Sequence, residues 1–446
     1  MKAVSGKIDY LNASISSIYL KLGLPILISS VTSIFISILQ TKIIRAFCPE
    51  YFAVSAVVGI IFTILTSIGT SVVSASWMTC AASFARKDVD SKGKLFNVVF
   101  LIFACQICVE VLALILTNPI LMLINTPVEI YNDVRLFYIL YILASIFSAF
   151  ASLATTLIAG LTTSISILLV QLATQIFPCL VTALFLGVFK MGLVGGALLV
   201  GAGAALTLLL GCFILFKTRS CELPKKEDRK IDNNLCWTIL KKAAALFLQA
   251  LFCNLGYLAV TAQTNKFLSL DYIAVLSINI PVTTALGVFS TIATVTLPQN
   301  YAMGYHKRTK KILFGAALFA QMYGILCFAF YALVGRVYYA SLFDDISVIE
   351  MGTEYWFYYG LGIAFIPALY VLRDFYIVVN KPTITLGSGI CEFAGNLFCA
   401  YVLIPYFGNI GRSLSYTVGW GVAAVYLWVA YFVLRKKIFF KGDDLQ

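Results

Sequence analysis

Long uncharged stretches, broken by short charged ones, set the pattern of this chain. Residues 51–85, 191–216 and 272–306 contain no Asp, Glu, Lys or Arg. A helix needs about 20 mostly apolar residues to cross a hydrocarbon core about 30 Å thick. By that measure the pattern predicts twelve membrane-spanning helices, at 19–44, 52–85, 95–117, 132–159, 164–189, 193–216, 240–266, 272–304, 312–342, 351–379, 383–406 and 413–434. Several exceed the length of a perpendicular crossing, which implies tilt or extension into the aqueous phase. The predicted fold class is an all-α membrane protein.

Composition agrees. Of the 446 residues, 61% are apolar and 12% charged, whereas a soluble domain carries roughly 25% Asp, Glu, Lys and Arg. The net charge of +12 is confined to short loops, so no nucleic-acid partner is expected. Basic loops follow the second, sixth and eighth spans, with Arg86, Lys87, Lys92 and Lys94 in the first of them, and basic residues close the chain. The alternate loops are poor in Lys and Arg: 118–131 has none, and 343–347 has only Asp344 and Asp345. Basic loops stay in the cytoplasm, which places both termini there and leaves the sequon at Asn12 unglycosylated. The polar segment 1–17 lacks the apolar core of a cleaved signal peptide. Cys105 and Cys108 form a CxxC within an apolar run, with no second Cys/His pair nearby, so no metal is expected.

The single long polar connection, 217–234, contains Pro224 and sits near the middle of the chain. It divides the sequence into a first bundle (1–217), a basic cytoplasmic linker (218–235) and a second bundle (236–446). Lys94-Leu95-Phe96 opens the third span as Ile312-Leu313-Phe314 opens the ninth. Phe189-Lys190-Met191-Gly192 and Gly408-Asn409-Ile410-Gly411 join corresponding later spans. A duplicated six-helix unit enters the membrane twice from the same side, so its copies are expected to be related by a pseudo-two-fold along the membrane normal.

Polar side chains recur at helical spacing within the spans: Ser29, Ser33, Ser37 and Gln40; Thr63, Ser67, Thr70 and Ser74; Asn254, Tyr257, Thr261 and Asn265; Asn279 and Thr283. Steps of three and four place each set on one helix face. Such a face lines a wet cavity or bonds a neighbouring helix; Ser and Thr can also bond their own preceding turn. The costlier amides favour the cavity, which makes Gln40, Ser37, Ser67, Asn254, Tyr257, Thr261, Asn279 and Thr283 candidate substrate-contacting residues. An ionisable residue at membrane depth is a functional hypothesis by default. Glu392, with Asn396 one turn on, is a candidate coupling site for a cation or proton; the alternative is a hydrogen-bonded packing residue. Glu110 is a second candidate, with a structural Glu110–Arg135 ion pair as the competing expectation. Arg373 and Asp374 read as anchors at the cytoplasmic interface. The one histidine, His306, lies in a basic loop, and no catalytic cluster is evident, so no enzymatic role and no bound cofactor are expected.

With these landmarks in place, the chain resembles the multidrug and toxic compound extrusion (MATE) family, within the multidrug/oligosaccharidyl-lipid/polysaccharide flippase superfamily. The resemblance runs over nearly the whole length. It lies in Gly23-Leu24-Pro25-Ile26, Ala82-Ser83-Phe84-Ala85-Arg86-Lys87-Asp88, Asn125-Thr126-Pro127-Val128-Glu129-Ile130, the stretch from Lys190 to Ala197, Pro298-Gln299-Asn300, Leu372-Arg373 and Lys381-Pro382-Thr383, taken in order. It implies two six-helix bundles around a V-shaped cavity and export of small amphipathic, often cationic compounds by alternating access, driven by protons or sodium ions. The short loops and the absence of an appended domain suggest a bacterial-type inner-membrane location; a monomer is expected, with membrane lipids and small molecules as partners. The sequence departs from the family where many members carry acids: Gln40 stands at the first-span position and Thr182 at the fifth. Neither side chain can release a proton near neutral pH, so coupling through Glu392 and Asn396 is an expectation of this chain rather than of the family. The competing function is a lipid-linked precursor flippase, whose pyrophosphate headgroup would call for several Arg or Lys within the cavity.

Overall fold

In the computed structural model the described residues are 8–123, 126, 130–222, 224–269, 272, 275–276, 287–340 and 344–439. Asn279 and Thr283 lie outside them, as do the side chains of Ser37 and Asn265. The described chain is helical, without a strand. Its main helices are α1 (Leu24–Phe47), α2 (Glu50–Arg86), α3 (Ser91–Ile115), α4 (Tyr131–Leu161), α5 (Ser164–Val188), α6 (Gly192–Lys217), α7 (Asn233–Phe267), α8 (Gly287–Ala302), α9 (His306–Ala340), α10 (Ile346–Val378), α11 (Pro382–Phe398) and α12 (Ser415–Phe439). Ten helices among the described residues are long and apolar enough to cross a membrane.

Local chemistry sets the helix ends. The Thr163 hydroxyl accepts from the Ser166 N–H at 3.3 Å, and Asp345 Oδ1 accepts from the Ser347 N–H at 2.8 Å; each satisfies an amide that has no intrahelical partner. Pro25 and Pro382 occupy first-turn positions, where a missing N–H costs nothing. Lys87 closes α2 in the left-handed conformation, and its N–H and that of Asp88 return to Phe84 and Ser83 carbonyls, the pattern of a Schellman cap.

Two compact units result, Met1–Ala243 and Ala244–Gln446. In the first, α1 packs on α5, α2 on α4, and α4 on both α5 and α6. Its core stacks Phe62 on Tyr141, with ring centroids 3.5 Å apart, beside Phe137, Tyr138 and Val58. In the second, α9 packs on α10 and α11 on α12. There Trp356 sits edge-on between Tyr331 and Tyr339, at 5.0 and 5.1 Å. Between helices in lipid, where tails are as apolar as leucine, such interdigitation supplies the attraction that water exclusion supplies elsewhere.

The basic linker is stitched to the first unit. Buried Asn97 of α3 donates to the Lys230 carbonyl at 2.9 Å and accepts from the Asp232 N–H at 2.8 Å. Lys87 donates to the Arg219 carbonyl at 2.7 Å, and Lys92 pairs with Glu222 at 2.7 Å. The first unit therefore continues through the linker into the base of α7.

Apolar runs conceal two interruptions. The predicted span 383–406 is helical to Phe398, passes through a wide turn at Cys399–Leu403, and continues as Ile404–Ser413 with a bend at Gly408 (φ 54°, ψ −124°). The α10 helix is likewise broken around Ala364 and Phe365. Hydropathy registers apolar content and is blind to both.

Candidate functional site

In the first unit, Gln40 of α1 and Thr182 of α5 face each other. Gln40 Nε2 donates to Thr182 Oγ1 at 3.0 Å, and Thr182 donates to the Pro178 carbonyl one turn earlier at 2.7 Å. The two positions where the resemblance led one to expect acids thus form one neutral amide–hydroxyl bond. Two carboxylates so close would repel unless they shared a proton; an amide and a hydroxyl are complementary at any pH. Gln40 also lines a cavity of about 340 Å³ with Tyr51, Ser148, Ser152, Thr155 and Thr174. The Ser148 hydroxyl is buried without a hydrogen-bond partner among the described residues, and buried polar groups left so are usually met by water or a ligand.

Ser67 is half-buried and donates to the Ile64 carbonyl of its own helix at 2.6 Å. Thr63 and Thr70 bond their own turns in the same way. Glu110 accepts from Gln106 at 2.8 Å and lies 3.1 Å from the Ser145 hydroxyl. Arg135 is exposed and makes no ion pair with Glu110, which corrects the expectation of a Glu110–Arg135 bridge. Two neutral donors, Gln106 one turn earlier on α3 and Ser145 across on α4, meet the carboxylate, and the arginine, on the first turn of α4, is exposed instead.

The second unit holds the denser constellation. Ser388, Glu392 and Asn396 share one face of α11, and all three are buried. Glu392 Oε1 accepts from the Tyr257 hydroxyl of α7 at 2.8 Å, and Oε2 from the Arg373 guanidinium of α10 at 2.7 Å. The Trp420 indole of α12 donates to the Tyr257 oxygen at 2.7 Å. Arg373 Nε donates to Ser388 Oγ at 2.9 Å, and Thr385 Oγ1 to the Arg373 carbonyl at 3.0 Å. The carboxylate therefore holds α7 and α10 directly and reaches α12 through the Tyr257 hydroxyl, with both oxygens engaged. Such a pair is costly to desolvate and costlier still to break, because the survivor is left as a bare buried charge.

Arg373 is not the interfacial anchor the sequence suggested. It reaches inward because α10 and α11 are antiparallel across the tight turn at Asn380 (φ 60°). That turn brings positions roughly equidistant from it, Arg373 and Ser388, to one level, with Glu392 one turn deeper. Asp374 also turns inward and accepts from Thr294 at 2.5 Å. Opposite charges flanking an Asn-Lys-Pro turn were the available signal for the pair; Trp420 left none.

Asn396 is fully buried, and neither its Oδ1 nor its Nδ2 has a partner among the described residues. A Cβ on Gly256 would lie 2.9 Å from Nδ2, and one on Gly419 would lie 2.8 Å from Oδ1. Only glycine at both positions lets α7 and α12 close on this amide. Asn254 donates to the Ala250 carbonyl of its own helix at 2.9 Å, and Thr261 is exposed, so neither joins the Glu392 network. Asn279, Thr283 and the Ser37 side chain lie outside the described residues.

No family model and no curated protein matches the sequence. Solved structures do. An outward-facing multidrug-resistance MATE transporter of the MOP superfamily superposes with a TM-score of 0.84 at 15% identity, over 96% of this chain and 97% of the other. The chain has the MATE fold. A MOP superfamily transporter from Pyrococcus furiosus, described as having a binding pocket of reverse polarity, superposes with a TM-score of 0.84 at 13% identity, over 96% and 97%. A MATE transporter of Vibrio cholerae gives 0.81 at 13% identity, over 96% and 98%. At such identities it is the backbone arrangement that is shared, so any role of this chain must be argued from its own side chains.

Proposed function

We propose that the protein is a secondary-active exporter of small amphipathic organic molecules, working by alternating access in the cytoplasmic membrane of a bacterial-type cell with both termini inside. Apolar helices, basic loops on one side and the MATE fold support this reading. The observation that carries the mechanism is the buried Glu392, shared by Arg373 and Tyr257. A proton or sodium ion that binds this carboxylate competes with the guanidinium for the same oxygens. Ion occupancy and the Arg373–Glu392 pair are then mutually exclusive, and the ion biases α10 and α11 between two arrangements, as a coupling ligand must. The first unit contributes a polar substrate cavity beside the neutral Gln40–Thr182 pair, and its one buried acid among the described residues, Glu110, is held by the neutral Gln106 and Ser145.

A flippase for a lipid-linked pyrophosphate is less well supported. Of the buried arginines in the second unit, Arg373 is already neutralised by Glu392.

The deciding experiment reconstitutes purified protein in liposomes. Efflux of a fluorescent organic cation and of a fluorescent organic anion is followed under an imposed sodium gradient, then an imposed proton gradient. One gradient should drive efflux, and Glu392→Gln, compared per mole of folded, reconstituted protein, should abolish the gradient dependence. Full gradient-driven transport by that variant would remove Glu392 from the coupling step.

A further inference from the structure

The second unit contains a buried cation that no described acid neutralises. Arg412, between α11 and α12, is 7% exposed. One guanidinium nitrogen donates to Ser415 Oγ at 2.9 Å, and the plane lies over the Tyr416 ring, 5.1 Å from its centroid. Its Nε is buried without an acceptor. No carboxylate among the described residues lies within ion-pairing distance; half-buried Glu354, on the neighbouring α10, makes no such pair. The buried charged residues described in this unit are Arg373, Glu392 and Arg412, and the first two pair with each other, so among the described residues Arg412 is the one without an ionic partner.

A charge at membrane depth is normally met by a partner of opposite sign. A guanidinium edge with an idle N–H matches a planar or tetrahedral oxyanion, which it can grip with two parallel hydrogen bonds. The surroundings fit an aromatic or otherwise flat body: Tyr359 meets Tyr416 edge-on at 5.0 Å, and Trp420 lies 4.9 Å from Tyr416. Aromatic side chains alone would favour an organic cation. Here the cation on that aromatic surface is the protein's own, and this reverses the preference.

We infer that Arg412 receives the carboxylate or sulfonate of a small aromatic anion, so that the second unit selects anions rather than the organic cations expected from the sequence. The site becomes accessible when the segment Ile404–Ser413, already bent at Gly408, moves. This names the substrate class for the exporter reading and rests on that reading for its physiological meaning, but binding can be measured without any gradient.

Equilibrium dialysis of the detergent-purified protein would use two probes with one ring system and opposite permanent charge, naphthalene-2-sulfonate and trimethyl(2-naphthyl)ammonium. Wild type should bind the sulfonate at least tenfold more tightly. Arg412→Gln should lose that preference, and Arg412→Lys should keep part of it. Should Arg412→Gln not fold, the wild-type preference and Arg412→Lys still decide. A wild type that prefers the ammonium probe, or shows no preference, overturns the proposal, as does Arg412→Gln with unaltered sulfonate binding. Farnesyl diphosphate displacing the sulfonate at far lower concentration would reassign the guanidinium to a lipid-linked phosphate and equally overturn the small-anion class. Dialysis that succeeds while liposome efflux fails would reject the exporter and leave the anion site standing.

Discussion

At the residue scale, the Arg373–Glu392 pair and the Asn396 amide make opposite demands on stability. Removing one member of a buried ion pair typically costs about 3–5 kcal/mol, whereas replacing both costs far less. Glu392→Gln and Arg373→Met should therefore each lower the detergent unfolding temperature sharply, and the double variant should recover most of the loss. Simple additivity of the two would show that the pair is not a unit. Asn396 leaves its whole amide unpaired within reach of two glycine backbones. An unsatisfied buried polar group costs about 1–3 kcal/mol, so the similarly shaped Asn396→Leu should unfold at a higher temperature. If the amide serves the coupling ion, the same variant should lose gradient-driven efflux; a stabilised variant with full transport would reduce Asn396 to packing.

At the element scale, the unusual pieces are the bent segment after α11 and the docked linker. Gly408 sits at φ 54°, ψ −124°, where a side chain costs about 1–3 kcal/mol. Gly408→Ala should be destabilised by that order in thermal unfolding and, because it disturbs the segment bearing Arg412, should also weaken sulfonate binding. The linker depends chiefly on Asn97, whose amide satisfies backbone groups of Lys230 and Asp232 from a buried position. Asn97→Ala should hasten tryptic cleavage at Lys225, Lys226 or Arg229 severalfold. Glu222→Gln should not, since exposed ion pairs such as Lys92–Glu222 contribute little. Equal cleavage rates in the two variants would mean that the surface pair and not the buried amide holds the segment.

At the scale of the whole molecule, the proposed orientation, with basic loops inside, is open to a direct test. A cysteine introduced at Lys225 should react with an impermeant thiol reagent only from the cytoplasmic face of inverted vesicles, and one at Asp344 only from the opposite face. The reverse labelling would invert the topology. The chemistry is divided unevenly between the two units. The first offers neutral hydroxyls and amides around its cavity, with Glu110 held by Gln106 and Ser145. The second holds the buried Arg373–Glu392 pair and, apart from it, the buried Arg412.

The sequence by itself determined that the chain is built of long apolar helices, and where the polar connection between α6 and α7 falls, because crossing a bilayer imposes a length and an apolar content that any window along the chain records. It also singled out Glu392, since an acid nine residues into an apolar helix needs no neighbour to be conspicuous. Only the tertiary structure decided the acid's company. Arg373 looked like an interfacial anchor until the turn at Asn380 folded α10 back along α11. Gln40 and Thr182 were two separate departures until α1 and α5 set them 3.0 Å apart. Arg412 drew no attention at all, because its burial comes from aromatic rings on other helices. Which charges meet, and which are left alone, depends on helix rotation and on breaks within helices, and periodicity within one segment carries no information about either.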